Sequence, residues 1–91
     1  MLPLIWTPEA HDDLFTILDY IANRNPTAAE RLHAAIEYTA DQLPVHPFLY
    51  RAGRVTGTRE AVVHPNYIIV YRVCETAIEV LAVLHARQRY P

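Results

Sequence analysis

Two capping residues followed by proline dictate most of what this chain can become. Thr7-Pro8 and Asn25-Pro26 each place a side-chain oxygen where it can accept the orphan amides of a first helical turn, and each supplies the residue best suited to the first helical position. Behind Thr7, the apolar residues Ala10, Leu14, Ile17, Leu18 and Ile21 recur at helical spacing, and Glu9 sits at the positive helix end. Behind Asn25, the residues Ala29, Leu32, Ile36, Ala40 and Leu43 form a second stripe, which Pro44 stops. Only about three residues join the two segments, so the helices must pack as an antiparallel hairpin.

An amphipathic hairpin needs an apolar layer to cover, and the second half of the chain supplies strands. Residues 44–57 hold two prolines and both glycines and read as a loop. Arg59–Val63 is the first strand of the second half, and His64-Pro65-Asn66 is a turn. Tyr67–Val73 is a nearly continuous β-branched and aromatic run, the pattern of a central strand buried on both faces. Cys74-Glu75-Thr76 turns again. Ala77–His85 alternates, with Ile78, Val80, Ala82 and Leu84 assigned to one face and Glu79, Leu81, Val83 and His85 to the other. Leu4–Trp6 is a short extra strand. The expected order is β-α-α-β-β-β: an α+β domain over residues 1–91, with the helical hairpin on one face of an antiparallel sheet.

Composition narrows the class. Apolar residues make up 52% of the 91 and charged residues 20%, which excludes a disordered chain. The longest apolar runs, Tyr67–Tyr71 and Val80–Leu84, are too short to span a bilayer, and the N-terminus lacks the basic region of a signal peptide. A single cysteine, Cys74, fits a reducing cytoplasm. Residues 1–43 carry seven acids and two arginines, a net of −5. Residues 44–91 carry six arginines and three acids, a net of +3. The isoelectric point near 6.2 argues against binding nucleic acid by charge alone, so direct DNA binding is not expected of this chain without a partner.

No motif for a metal, nucleotide or cofactor appears. The five histidines are scattered and make no ligand pair, and two glycines cannot build a phosphate loop. Asp12, Asp13 and Asp19 lie off the first apolar stripe and read as its solvated face. Two segments are richer in arginine. Arg54–Glu60 reads either as a solvated loop entering an edge strand or as a basic rim for phosphates or carboxylates. The tail from His85 to Pro91 reads either as a frayed terminus or as an arginine–aromatic segment that engages a macromolecule.

Several short motifs in order carry a family resemblance. Ala10–Leu14, Tyr20-Ile21-Ala22 with Asn25-Pro26, Gly53-Arg54, Gly57–Glu60, Tyr67–Val73 and Val83–Arg87 together resemble the RelE/ParE toxin superfamily, and its ParE-like (plasmid-stabilisation) branch in particular. The resemblance implies the toxin of a type II toxin–antitoxin pair, neutralised by a cognate, partly disordered antitoxin that wraps it. Phe15, Leu18, Tyr67 and Val80 are the positions on which that antitoxin is expected to sit. Arg54, Arg59, Arg87, Arg89 and Tyr90 are those expected to meet the cellular target.

The branches differ in target. ParE-like members poison DNA gyrase; RelE-like members cut mRNA on the ribosome. RNA cleavage needs a base, an acid and cations for the phosphorane charge. RelE itself resembles a solution built from Lys and Arg along the first hairpin strand. The matching positions here are Arg59, Ala61 and Val63, and the chain has no lysine. Arginine stays protonated and makes a poor base. A different ribonuclease set would have to come from Glu60, His85, Arg87 and Tyr90. The balance favours a toxin that binds a protein target such as gyrase, with ribosome-dependent RNA cleavage as the alternative, and with no cofactor.

Overall fold

The computed structural model describes all 91 residues. Strand β1 (Leu4–Trp6) leads into helices α1 (Pro8–Ala22) and α2 (Pro26–Gln42), and strands β2 (Arg51–Ala52), β3 (Arg59–His64), β4 (Tyr67–Val73) and β5 (Ile78–His85) follow. Both expected caps form. Thr7 Oγ1 accepts from the Ala10 amide at 3.1 Å, and Asn25 Oδ1 accepts from the Ala28 amide at 3.1 Å. The Thr7 hydroxyl also donates to the Val80 carbonyl at 3.0 Å, so the start of α1 is pinned to β5.

The five strands form one sheet in the order β1-β5-β4-β3-β2. From β2 to β5 every pairing is antiparallel, as the hairpin turns require. β1 joins the far edge parallel to β5, its chain returning only after the whole helical hairpin. The loop at 44–57 is less irregular than its prolines suggest, because Arg51 and Ala52 pair with Glu60 and Arg59.

The hairpin covers one face. Ile36 and Ala40 of α2 and Leu43, which caps it, meet Ile69, Tyr71 and Val80 of the sheet in a core of fully or nearly fully buried side chains. On the opposite, outer face a smaller cluster of Val70, Ala82 and Leu84 is covered by Leu81 and Tyr90. β4 is therefore buried on both sides, as its composition required.

The alternation expected for β5 fails in its second half. Val70 pairs with Ala82 but Tyr71 pairs with Val80, which leaves Leu81 as an extra residue in a bulge. Ile78 and Val80 face the helices. Beyond the bulge the phase inverts: Val83 joins the helix-side core while Ala82 and Leu84 turn to the outer face. A strict period of two cannot reveal such an insertion, because both phases here are apolar.

Candidate functional site

The outer sheet face is organised around one buried carboxylate. Glu60 lies opposite Val70 on β4 and Arg51 on β2, with its side chain only 3% exposed. Arg51 Nη2 donates to Oε1 at 3.1 Å, the Arg54 amide donates to Oε2 at 2.9 Å, and Arg54 Nε lies 3.2 Å from Oε2. Burial pushes the Glu60 carboxyl pKa up. The Arg54 amide, the Arg51 hydrogen bond and the two guanidinium charges outweigh that and hold it below its ordinary 4.5. Glu60 is thus an anchored anion, fully occupied by its own chain.

Arg54 extends this network to the C-terminal segment. Its Nη1 donates to the Gln88 carbonyl at 2.8 Å. The segment has further ties: the Ala86 amide donates to the Asn66 carbonyl at 2.7 Å, and the Arg87 amide donates to His85 Nδ1 at 3.2 Å. Tyr90 lies against the outer cluster. The C-terminal segment is therefore not the frayed end that its composition allowed. It folds back across the sheet, with Arg87 and Arg89 exposed at its surface and neither of them in an ion pair.

Of the five expected target-contacting residues, Arg54, Arg89 and Tyr90 lie on this outer side, and Arg87 is exposed beside His85, to whose ring its amide donates. Arg59 is not on the outer side. It pairs with Tyr71 on the helix-side face, where its Nη1 donates to the Tyr50 carbonyl at 2.8 Å and its guanidinium lies 5.0 Å from the Phe48 ring centre. Together with the Tyr71 hydroxyl, which donates to the Pro47 carbonyl at 2.7 Å, it holds the 44–50 loop in place.

The residues named for an RNA-cleaving set are divided by the sheet. Glu60 and Tyr90 belong to the outer face. His85 pairs with Tyr67 on the helix side, and its ring meets the Tyr67 ring edge-on at 5.4 Å. A base and an acid must reach opposite oxygens of one phosphodiester, and Glu60 and His85 face away from each other.

The positions expected to take a wrapping partner also separate. Phe15, 72% exposed, and Leu18 line a cleft of about 340 Å³ on the solvent side of the hairpin. Tyr67 lines a second groove of about 470 Å³ between α2 and the β3–β4 turn. Val80 is fully buried under the helices and offers a partner nothing but a carbonyl that Thr7 already occupies; its assignment to a contact surface is withdrawn. A free backbone edge exists on the β2 side of β3, because β2 pairs only with Arg59 and Glu60 and leaves Ala61–His64 bonded to β4 alone.

One polar residue on the opposite edge was misread from the sequence. β1 ends opposite Val80, and past it the Val83 amide donates to Asp13 Oδ2 at 3.0 Å. Burial, followed by the charges of Asp12 and Glu9, raises the Asp13 pKa against the opposing Val83 hydrogen bond. A signal was available: Asp13 falls one turn after the fully buried Ala10, at the margin of the apolar stripe and not opposite it.

Comparison with known proteins agrees over nearly the whole chain. The family model described as the ParE toxin of type II toxin-antitoxin systems, parDE, matches residues 4–90. A protein named toxin RelE2 from Caulobacter vibrioides is 36% identical over 86 residues, covering 94% of this chain and 97% of that protein. A putative toxin, Y4kP, from Sinorhizobium fredii is 40% identical over 87 residues, covering 94% and 90%. Among solved structures, a chain of the chromosomal ParDE system of P. aeruginosa superposes with a TM-score of 0.82 at 24% identity, over 93% of this chain and 96% of that one, a likeness of fold.

Proposed function

The chain belongs to the ParE toxin family of type II toxin–antitoxin systems, and from that premise we propose that it arrests growth by binding a protein target such as DNA gyrase and not by cutting RNA. Its natural partner is a cognate antitoxin. What supports the non-enzymatic reading is the state of Glu60: the one carboxylate available to a ribonuclease set is locked by Arg51 and Arg54, on the opposite face from His85. An acid held below its ordinary pKa by two guanidinium groups is a weak base, and no lysine stands in for it.

The target surface in this reading is the C-terminal segment, where Arg89 lies beside Tyr90 near the outer face and Arg87 is exposed next to His85. Arginine and tyrosine dominate interface energies when they are well supported, and the bonds to Arg54, His85 and Asn66 supply that support. The antitoxin covers the hairpin at Phe15 and Leu18, the groove at Tyr67 and the open β3 edge, by adding a helix and a strand.

Two assays separate the targets. Purified toxin should inhibit gyrase supercoiling, and Arg87→Ala with Arg89→Ala should abolish that inhibition and growth arrest while the protein stays folded. In a translating extract, primer extension should show no new stops at codon positions. Stops that vanish in His85→Ala would replace this reading with the ribonuclease one.

A further inference from the structure

The loop after α2 carries apolar side chains that the fold neither buries nor leaves loose. Phe48 is 65% exposed and Leu49 68%. Their backbone is nevertheless braced: the Pro47 carbonyl accepts from Tyr71, the Tyr50 carbonyl accepts from Arg59, and the Leu49 amide donates to the His46 carbonyl at 3.2 Å. An exposed aromatic on a loop held in this way has less freedom to lose on binding. Beside Phe48 lies a cavity of about 350 Å³, lined by Gly57, Thr58, Arg59 and Val73 among others, with one guanidinium and no carboxylate. Residues 44–59 as a whole hold three arginines and no acid. The acidic half of the chain has a matching feature. The cleft on the solvent side of the hairpin, walled by Phe15 and floored by Leu18, is rimmed by Asp19 and Glu30, while its His33 is tied to Glu37 at 2.8 Å.

We propose that these two surfaces bind each other on neighbouring copies of the chain. Phe48 of one molecule seats in the Phe15–Leu18 cleft of the next, and Phe15 of that molecule seats in the cavity beside Arg59. The two spaces, about 340 and 350 Å³, each exceed the roughly 150 Å³ of a cavity that holds benzene. Charge decides the pairing. Cleft against cleft would set Asp19 and Glu30 against their own copies, and loop against loop would set arginine against arginine, so unlike surfaces meet. A head-to-tail contact of this kind leaves one free surface at each end and lengthens into open chains instead of stopping at a dimer. The function proposed above gives Phe15 and Leu18 to the antitoxin. On that reading a toxin bound to its antitoxin has no cleft to offer, and only free toxin self-associates.

Sedimentation velocity of the purified, full-length toxin tests this. Species larger than a monomer should grow in size as the protein concentration rises. Phe48→Ser and Phe15→Ser, both exposed changes, should each give monomers with the circular dichroism of wild type. Mixed in equal amounts, the two variants should form a dimer and nothing longer, because one brings the only intact loop and the other the only intact cleft. Asp19→Arg with Glu30→Arg should weaken association about tenfold or more at low salt, with a smaller deficit at high salt. A wild type that stays monomeric at every concentration overturns the proposal, as does a folded Phe48→Ser or Phe15→Ser that associates as wild type does. A mixture of the two variants that stays monomeric, or a wild type that stops at a dimer, overturns the head-to-tail contact. No antitoxin is present in these measurements, so failure here leaves the function proposed above standing.

Discussion

Replacing Glu60 by Gln tests whether the outer face is held by charge. The amide keeps the shape, but it removes the anion from Arg51 and Arg54 and turns an N–H donor toward guanidinium groups that can only donate. A fully buried pair broken on one side costs about 3–5 kcal/mol. That is too much here, because the Arg51 side chain is 58% exposed and Arg54 33%, so both can return to water. Surface-like values of about 0.2–1 kcal/mol for each arginine contact, with about 1–2 kcal/mol for the mispaired buried amide, give a loss of about 2–3 kcal/mol. For a domain of this size that lowers the thermal midpoint by on the order of 10–20 °C. The effect also has a signature in pH. The folded carboxyl titrates below its ordinary 4.5, so the unfolded chain takes up the proton first and acid favours unfolding. The contribution is complete above the unfolded pKa and is lost as the pH falls through the folded one. Urea unfolding at neutral pH and at several points below pH 5 should show wild type losing this increment while Glu60→Gln has none to lose. A variant within about 0.5 kcal/mol of wild type, with an unchanged acid limb, would refute the argument.

Three further outcomes follow from contacts of known geometry. Asp13→Ala should cost about 1–2 kcal/mol by orphaning the Val83 amide, whereas Asp13→Asn keeps an acceptor and should be nearly neutral in urea unfolding at pH 7. Because burial raises the Asp13 pKa, the folded state binds that proton more tightly, so the wild-type residue favours folding as the pH falls, the opposite sign to Glu60. Tyr90→Ala, or deletion of Gln88–Pro91, uncovers Val70, Ala82 and Leu84 and should lower stability by about 1–2 kcal/mol; an unchanged urea midpoint would mean that the segment is not seated there. Gly53→Ala should destabilise by about 1–3 kcal/mol, because its Cβ would meet the Thr58 hydroxyl, which is itself bonded to the Val55 carbonyl at 2.6 Å; this can be read from the thermal midpoint.

The hairpin was legible because Thr7-Pro8 and Asn25-Pro26 act locally: the cap, the proline and the apolar stripe all lie within a few residues of one another. β4 was legible from composition, since only a strand covered on both sides tolerates Tyr67–Val73. The Leu81 bulge was not legible, because it is a relation between strands, defined only by the pairing of Val70 and Tyr71 on the neighbour. The candidate surfaces divide in the same way. Arg87 and Arg89 stand out by type, but the course of their segment depends on Arg54 reaching Gln88 across 34 positions. Arg54 and Arg59, five residues apart, looked like one basic rim; Arg54, in the loop between β2 and β3, binds Glu60 on the outer face, while alternation along β3 turns Arg59 to the helix side. Asp13 was misassigned because its partner lies 70 residues away.

The attachment of β1 to β5 also carries a kinetic meaning. Thr7 meets Val80 and Leu81 across separations of 73 and 74 residues, so this edge of the sheet closes a loop of most of the chain. Local contacts come first and distant ones wait for loop closure, which sets folding speed more than final stability. As the chain emerges during synthesis, α1 and α2 can pair early, but β1 has no neighbour until the last strand arrives. Arg54 likewise has no Gln88 to hold until a further 34 residues are made. The surface bearing Arg87 and Arg89 thus comes together only after all five strands have been made, and under the function proposed above a shorter nascent chain lacks its target-binding face.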